Sequence, residues 1–89
     1  MPSQTVIIGS TVGLHARPAS LLIKAAAAAG VPVKIGRVGE APVNAASMLS
    51  VLALGGKHGE EIEITVDDHA DADRILAELV DIVATNHDA

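Results

Sequence analysis

The chain contains no aromatic residue and no cysteine, although 49% of its 89 residues are hydrophobic. A hydrophobic core must therefore consist of leucine, isoleucine, valine, alanine and methionine, which let helices and strands approach closely but provide no large buried ring. Neither a disulfide nor a zinc site with thiolate ligands can stabilise the fold. A domain of about this size buries only roughly 60% of the surface that its unfolded chain exposes. We therefore expect residues 1–89 to form a single domain with a thin aliphatic core.

The charge distribution argues against several classes of partner. The formal net charge is −5, and lysine and arginine form no basic run, whereas proteins that bind nucleic acids place basic clusters against the phosphate backbone. The apolar run around residues 25–29 is far shorter than the roughly 20 residues that cross a bilayer. Residues 1–10 lack the charged start and long apolar stretch of a secretory signal. The sequence therefore predicts a cytoplasmic protein that neither binds nucleic acid nor inserts into a membrane.

Hydrophobic periodicity predicts an alternation of strands and helices. The clearest strand spans residues 61–66, where Ile62, Ile64 and Val66 alternate with more polar residues. The clearest helix spans about residues 70–85, where apolar residues recur at spacings of three and four. Its apolar stripe consists of Ala72, Ile75, Leu76, Leu79 and Val83. The other predicted elements are strands at residues 5–8, 33–37 and 43, and helices at about residues 16–29 and 47–54.

This order of elements, β-α-β-β-α-β-α, predicts an α+β fold. A strand with one apolar and one polar face is typical of an antiparallel sheet that is covered on one side only. Residues 5–8 form a β-branched run, which predicts a buried strand. We expect an open-faced β-sandwich, in which three helices pack on one face of a four-stranded antiparallel sheet.

The segment GLHARPA at residues 13–19 joins a glycine-containing loop to the first predicted helix. Pro18 fits the first turn of a helix, because the N–H group that proline lacks has no partner within the helix there. The backbone N–H groups near Ala16 and Arg17 are then expected to point outward beside His15, and such a helix end attracts anions. Arg17 adds a positive charge in a planar fork that suits phosphate oxygens.

This environment favours a particular chemistry at His15. A positive helix end and a neighbouring guanidinium disfavour the imidazolium form, so the ring is expected to stay neutral near pH 7. A neutral ring nitrogen is a nucleophile, and the same donors would stabilise a phosphoryl group attached to it. Two other interpretations stay open on these residues alone. His15 could be a plain surface or capping residue, or the helix start could simply bind an anion.

Two segments of the chain resemble the signatures of the HPr family, the histidine-containing phosphocarriers of the phosphoenolpyruvate-dependent sugar phosphotransferase system. Residues 13–19, GLHARPA, resemble the active-site signature. Residues 43–55, VNAASMLSVLALG, resemble the second signature at nearly the expected separation. Chain length and element order also fit, so the resemblance covers essentially the whole chain. It implies an open-faced β-sandwich of four antiparallel strands and three helices, and no cofactor is expected.

The resemblance also implies a role for each matching residue. His15 would accept a phosphoryl group on Nδ1 from phospho-enzyme I, which phosphoenolpyruvate charges. It would then pass the group to a histidine of a sugar-specific IIA domain. Arg17, with the backbone at Ala16, would hold the phosphoryl oxygens. Such a protein is a carrier within a relay rather than an enzyme with its own turnover.

Partners of the HPr family dock on the apolar surface around the first and second helices. In this chain the candidates for that surface are Leu21, Met48, Leu49 and Leu52. Core packing is the alternative for these residues, although methionine suits an adaptable binding surface. Small size and transient docking indicate a monomer.

Ser47 matches a position that a dedicated kinase phosphorylates in some members of the HPr family. It is also a residue type that caps the start of a helix. Members regulated by this kinase often carry a basic residue just before the serine, whereas this chain has Ala46. Helix capping is therefore the simpler expectation for Ser47, and a serine kinase is an additional candidate partner.

The remaining titratable residues predict no metal site. His58, His69 and His87 are expected to be solvated, because no carboxylate or histidine accompanies them at the spacing of metal ligands. The aspartates Asp67, Asp68 and Asp71 precede the last predicted helix. We interpret them as capping residues rather than a calcium site, because no loop of the EF-hand pattern surrounds them.

Two functions compete with that of a sugar-system carrier. A nitrogen-type or other regulatory carrier would share the signature but serve another pathway. An interaction module without phosphoryl transfer would bind an anion at the helix start or act only by docking. Phosphorylation by enzyme I and phosphoenolpyruvate distinguishes both carriers from the module. Transfer to sugar-specific IIA domains distinguishes the two carriers from each other.

Overall fold

The computed structural model of the protein describes residues 2–86, which form strands and helices in the predicted order. The strands are β1 (Ser3–Ile7), β2 (Val33–Arg37), β3 (Val43–Asn44) and β4 (Glu61–Val66). The helices are α1 (Ala16–Ala28), α2 (Met48–Leu54) and α3 (Ala72–Ala84). The strands form one antiparallel sheet in the order β1-β4-β2-β3, which confirms the predicted open-faced α+β fold. No helix among residues 2–86 has the length and apolar character that a bilayer crossing requires.

Strand β4 lies inside the sheet and shows why one face of it is apolar. Ile64 pairs with Gln4 of β1 on one side and with Ile35 of β2 on the other. The side chains that alternate with the glutamates of β4 are fully buried beneath the helices, as the sequence predicted. Helix α3 packs on β1 and β4, and α1 contacts both α3 and α2. The core therefore lies between the sheet and this helix layer.

Strand β1 is only half buried, so the prediction of a buried strand at residues 5–8 is wrong in part. Val6 is buried, whereas Thr5 and Ile7 are exposed. Ile8 is fully buried but follows the strand, which begins earlier than predicted, at Ser3. The physical reason is that the second face of the sheet is open, so alternate side chains of β1 reach solvent even where they are apolar.

Helix α3 buries all five residues of its predicted apolar stripe. It begins at Ala72, slightly later than predicted, and Asp71 at its N-cap position makes no side-chain capping hydrogen bond. Instead, the Asp71 N–H donates to Nδ1 of His69 at 3.0 Å, and the Asp71 carboxylate pairs with Arg74 at 3.4 Å. The capping role predicted for Asp71 is therefore wrong, because its backbone, with φ −100° and ψ 13°, lacks the extended N-cap conformation.

Helix α2 begins with the serine cap that its sequence predicts. Ser47 has an extended backbone, and its Oγ accepts a hydrogen bond from the Ser50 N–H at 3.3 Å. The helix ends at Gly55, which adopts a left-handed conformation with φ 65°. These two residues fix both ends of a helix of only seven residues.

An ion pair joins the end of β2 to the residue before β4. Arg37 Nε donates to Glu60 Oε2 at 3.0 Å, and the two side chains are 28% and 32% exposed. Glu60 Oε1 also accepts a hydrogen bond from the Lys57 N–H at 2.7 Å. The hydrogen bond from Arg37, followed by that from Lys57, holds the pKa of Glu60 below its ordinary range. The same bond to Glu60 raises the pKa of Arg37.

Replacement of Ser47 by alanine should destabilise the protein through the loss of the α2 cap. The expected loss is about 1 kcal/mol in the free energy of unfolding, measured by urea denaturation. Ser47→Asp is the matched control, because its carboxylate still accepts from the Ser50 N–H, and it should remain near the wild-type stability. Equal stability of Ser47→Ala and the wild type would show that the cap contributes nothing.

Replacement of Glu60 by glutamine should make stability less dependent on acid pH. Because the folded-state pKa of Glu60 is lowered, its ionised form stabilises the fold at neutral pH. That contribution is lost progressively as the pH falls below about 4.3, the ordinary pKa of glutamate. The loss continues as the pH passes through the lower pKa that Glu60 has in the folded protein. Urea denaturation should therefore show Glu60→Gln less stable than the wild type at pH 7, with the difference shrinking toward pH 3.

Glu78→Gln is the control for this pH dependence. Glu78 pairs with Arg74 at 3.0 Å, but the two side chains are 58% and 62% exposed, so this pair is expected to contribute little at any pH. A stability difference between Glu60→Gln and the wild type that stays constant from pH 7 to pH 3 would contradict the role of the Glu60 carboxylate.

Candidate functional site

His15 occupies the N-cap position of α1. Its backbone is extended, with φ −89° and ψ −173°, and its carbonyl oxygen accepts the Ala19 N–H at 3.0 Å. Its side chain makes no capping hydrogen bond and is half buried at the protein surface. Of the interpretation of His15 as a surface or capping residue, only capping by the side chain is therefore wrong. The backbone of His15 begins the helix, and its ring takes no part in capping.

The first turn of α1 holds the residues that the sequence predicted around His15. Ala16 and Arg17 are exposed, whereas Pro18 and Ala19 are buried. The buried pair fixes one side of the turn against the core and leaves the other side toward solvent. The N–H groups of Ala16 and Arg17 belong to the positive end of the helix. This end and the exposed guanidinium of Arg17 together suit an anion beside His15.

The loop before His15 is fixed against the loop that follows α2. The Leu14 N–H donates to the Gly56 carbonyl oxygen at 2.9 Å, and the Leu14 side chain is buried. Gly13 has φ 87°, and a Cβ added to it would collide with that same Gly56 oxygen. A Cβ on Gly56 would lie 2.6 Å from Ile8 Cδ1. Glycine is therefore required at residue 13, where the clash is with backbone, whereas a Cβ at residue 56 would have to displace the end of the Ile8 side chain.

Two further hydrogen bonds hold the same loop from other directions. Nδ1 of His58 lies 3.0 Å from the Ser10 carbonyl oxygen. Because a carbonyl oxygen only accepts, Nδ1 carries the proton. The hydroxyl of Thr11 donates to Oδ1 of Asn86, beyond the end of α3, at 3.2 Å. His58 is exposed as predicted, but its ring contacts this loop rather than only solvent.

The four docking candidates are all exposed. Leu49 is the most exposed at 83%, and Leu21, Met48 and Leu52 are each exposed by about 40%. Leu21 lies on α1 and the other three lie on α2, and these two helices contact each other. Val51, in the same helix, is fully buried. Even if these residues contribute to core packing, a large part of each side chain therefore contacts solvent.

The remaining candidates lie away from this site or outside the structure. His69 precedes α3 and contributes to its start. Within residues 2–86, histidine and acidic side chains form no group of three or more that could hold a metal ion. His87 lies outside the described residues. Ser47 is half buried, and its hydroxyl is engaged in capping α2.

The supports of the loop were missed by reasoning from the sequence. Neither the hydrogen bond from Leu14 to Gly56 nor the ion pair between Arg37 and Glu60 follows from a local pattern, because each joins residues far apart in the chain. The glycines at the two loops were the available signal, and they indicated turns rather than a contact between them.

Members of one protein family are similar to this chain over most of its length. Residues 2–85 match the model of the PTS-HPr family, which is described as the PTS HPr component phosphorylation site. The phosphocarrier protein HPr of Streptomyces coelicolor is 49% identical over 84 residues, which cover 94% of this chain and 89% of that protein. The phosphocarrier protein HPr of Haloferax volcanii is 40% identical over 83 residues, which cover 92% of each chain.

The fold is also similar to that of solved relatives. The crystal structure of HPr-C-His from Thermoanaerobacter tengcongensis superposes with a TM-score of 0.84 at 28% sequence identity, and the match covers 93% of this chain and 91% of that one. The family model and the curated relatives both extend over the His15 loop, the α2 segment and the strands between them. The chain therefore belongs to the HPr family, the phosphocarrier proteins of the phosphotransferase system.

Proposed function

We propose that the protein accepts a phosphoryl group on His15 from phospho-enzyme I and passes it to sugar-specific IIA domains. The observation that carries this proposal is the position of His15 at the N-cap of α1, with its ring not used for capping. Exposed Arg17 follows two residues later, in the first turn of the same helix. Membership of the HPr family supports this choice over simple binding of an anion.

The proposed transfer requires one bond to form and one to break. The lone pair of His15 Nδ1 attacks phosphorus, and the bond between phosphorus and the donor breaks, leaving its electron pair on the donor. The loaded ring carries an anionic phosphoryl group, which the guanidinium of Arg17 and the N–H groups at Ala16 and Arg17 stabilise. In the second transfer the acceptor on the IIA domain attacks the same phosphorus atom, and the bond between phosphorus and His15 Nδ1 breaks, with its electron pair returning to the ring. Positioning and charge stabilisation are the main requirements of this chemistry.

The proposed docking surface consists of Leu21, Met48, Leu49 and Leu52. Exposed leucine and methionine side chains on two contacting helices provide apolar area that a partner can bury. We propose that residues 1–89 act as one domain, as a monomer in the cytoplasm, which docks transiently with enzyme I and then with a IIA domain. The protein is a carrier rather than an enzyme, because each transfer consumes its loaded or unloaded form.

Phosphorylation of Ser47 by a serine kinase is a separate proposal. Ser47 immediately precedes the docking residues Met48 and Leu49. A phosphate there would add a charge of about −2 beside the apolar surface and would repel acidic partners. The exposed residue before it, Ala46, supplies no positive charge for a kinase to recognise.

Incubation with phosphoenolpyruvate and enzyme I should load His15. We expect about one acid-labile phosphate per chain, measured by mass spectrometry of the intact protein, and none on His15→Ala. His58→Ala is the matched control and should still be loaded, because its ring only supports the loop. Absence of labile phosphate on the wild type, or its presence on His15→Ala, would contradict the carrier function. Loaded protein that fails to transfer to sugar-specific IIA domains would instead favour a regulatory carrier.

Replacement of Arg17 by alanine should slow transfer without unfolding the protein. A hydrogen bond to a charged group contributes about 1.5–3 kcal/mol, so loading by phospho-enzyme I should slow by about tenfold or more in rapid-quench measurements. The phosphorylated variant should also lose its phosphate faster. Arg74→Ala removes a cation of the same kind from α3, and it should leave both rates unchanged. Wild-type kinetics in Arg17→Ala would exclude the proposed role of the guanidinium.

A further inference from the structure

The guanidinium of Arg37 contacts the carboxylate of Glu60 and two backbone carbonyl groups at the end of α2. Its Nε and Nη2 donate to the two carboxylate oxygens of Glu60, at 3.0 and 3.2 Å. Its Nη1 donates to the Leu54 carbonyl oxygen at 2.7 Å, and Nη2 also donates to that of Gly55 at 3.2 Å. Carbonyl groups at the end of a helix lack partners within the helix, and here a single side chain binds two of them. Arg37 therefore fixes the point where the chain leaves α2.

Arg37 reaches this point because of its place in the sheet. It is the last residue of β2 and shares a face with buried Val33 and Ile35. Its side chain therefore leaves the sheet on the side of the helices, at the edge of the core. Lys34, on the other face of the same strand, is exposed. The alternation of β2 thus places Arg37 beneath the end of α2 rather than in open solvent.

The contacts of this ion pair lie on both sides of Gly56. Arg37 binds the carbonyl of Gly55, and its partner Glu60 accepts the N–H of Lys57 at 2.7 Å. The Gly56 carbonyl belongs to the same peptide group as the Lys57 N–H, follows the anchored Gly55 carbonyl by one residue, and accepts the Leu14 N–H at 2.9 Å. The orientation of that carbonyl is therefore set from both sides by the Arg37–Glu60 pair.

We propose that Arg37 is a positioning residue for phosphoryl transfer at His15, acting through Glu60 and the Gly56 carbonyl. The inference rests on the proposed function. His15 directly follows Leu14, whose side chain is buried and whose N–H is bound by Gly56. If the Gly56 carbonyl moved, the Leu14 N–H would lose its acceptor, and Leu14 would no longer hold the backbone of His15 in place. Transfer between two proteins depends on in-line geometry, and a displacement of about 1 Å is enough to slow such reactions strongly.

Arg37 is neither a docking residue nor a ligand of the phosphoryl group in this proposal. Its replacement should therefore change the kcat of loading and leave the KM nearly unchanged. We expect Arg37→Met to lower the kcat for loading of this protein by phospho-enzyme I by at least about threefold. Its KM should change by less than about twofold, because Leu21, Met48, Leu49 and Leu52 are retained. Methionine keeps an apolar stem of similar length but removes all four hydrogen bonds.

A second measurement reports on the loop without any partner. Hydrogen exchange of the Leu14 amide, followed by NMR, should be at least about tenfold faster in Arg37→Met than in the wild type. The amide of Ala45, which donates to the Val33 carbonyl at 2.9 Å, is the internal reference and should exchange at an unchanged rate. Selective acceleration at Leu14 distinguishes release of the loop from a general loss of stability.

Arg74→Met is the matched control. Arg74 also contacts two carboxylates, those of Asp71 and Glu78, but it lies on α3 beside Ala28 and Ala29, at the opposite end of α1 from His15. This variant should keep the wild-type kcat and the wild-type exchange rate at Leu14. If Arg37→Met does not fold, Arg37→Lys replaces it, because lysine retains the positive charge but offers a single nitrogen in place of the three that bind Glu60 and the two carbonyls.

These experiments distinguish failure of the positioning role of Arg37 from failure of the proposed carrier function. Loading of the Arg37 variant at the wild-type kcat, or a Leu14 amide that exchanges as slowly as in the wild type, overturns the positioning role and leaves the carrier function intact. If wild-type His15 accepts no phosphate, the proposed function fails. The positioning role for transfer fails with it, and the exchange rate of Leu14 then still decides whether Arg37 holds the loop.

Discussion

A single backbone contact between two glycine-containing loops determines where His15 stands. The Leu14 N–H meets the Gly56 carbonyl at 2.9 Å, and Gly13 approaches the same oxygen too closely for any side chain. The loop before α1 and the loop after α2 are thus fixed to each other over a separation of more than 40 residues in the chain. Because the next residue, His15, is the N-cap of α1, this contact holds the backbone from which the helix and the ring extend.

The rest of the fold supports that contact with small side chains. The core is aliphatic, and its small side chains let the helix layer pack closely on the sheet. Ser47 and Gly55 define the two ends of α2, and Arg37 binds the carbonyls where the helix ends. The start of α1, the site proposed for phosphoryl transfer, and the exposed residues of α2 thus lie on two helices that contact each other.

Local pattern was enough to predict most of the fold and the centre of the site. The alternation of β4, the stripe of α3 and the cap at Ser47 depend on neighbours within a few residues, and the structure confirms all three. His15 and Arg17 were identified because they lie next to a helix start that the sequence marks with Pro18. The structure shows His15 at the N-cap and Arg17 in the first turn, and their roles in transfer stay predictions.

The features that were missed depend on contacts between distant segments. The ion pair of Arg37 with Glu60 brings together residues that look like ordinary surface charges in the sequence. The start of α3 was predicted from its aspartates, whereas His69 accepts the hydrogen bond there, because the backbone of Asp71 is not extended. Propensity and periodicity contain no information about which carbonyl a guanidinium reaches, so such supports become visible only in three dimensions.

In the proposed function, the phosphoryl group is bonded to the ring of His15 between the two transfers. The most direct measurement is heteronuclear NMR of the protein loaded by enzyme I and phosphoenolpyruvate, which identifies the nitrogen bonded to phosphorus. The account predicts a single phosphorus resonance coupled to Nδ1 of His15. A phosphorus atom bonded to His58, His69 or His87, or to a serine oxygen, would contradict it.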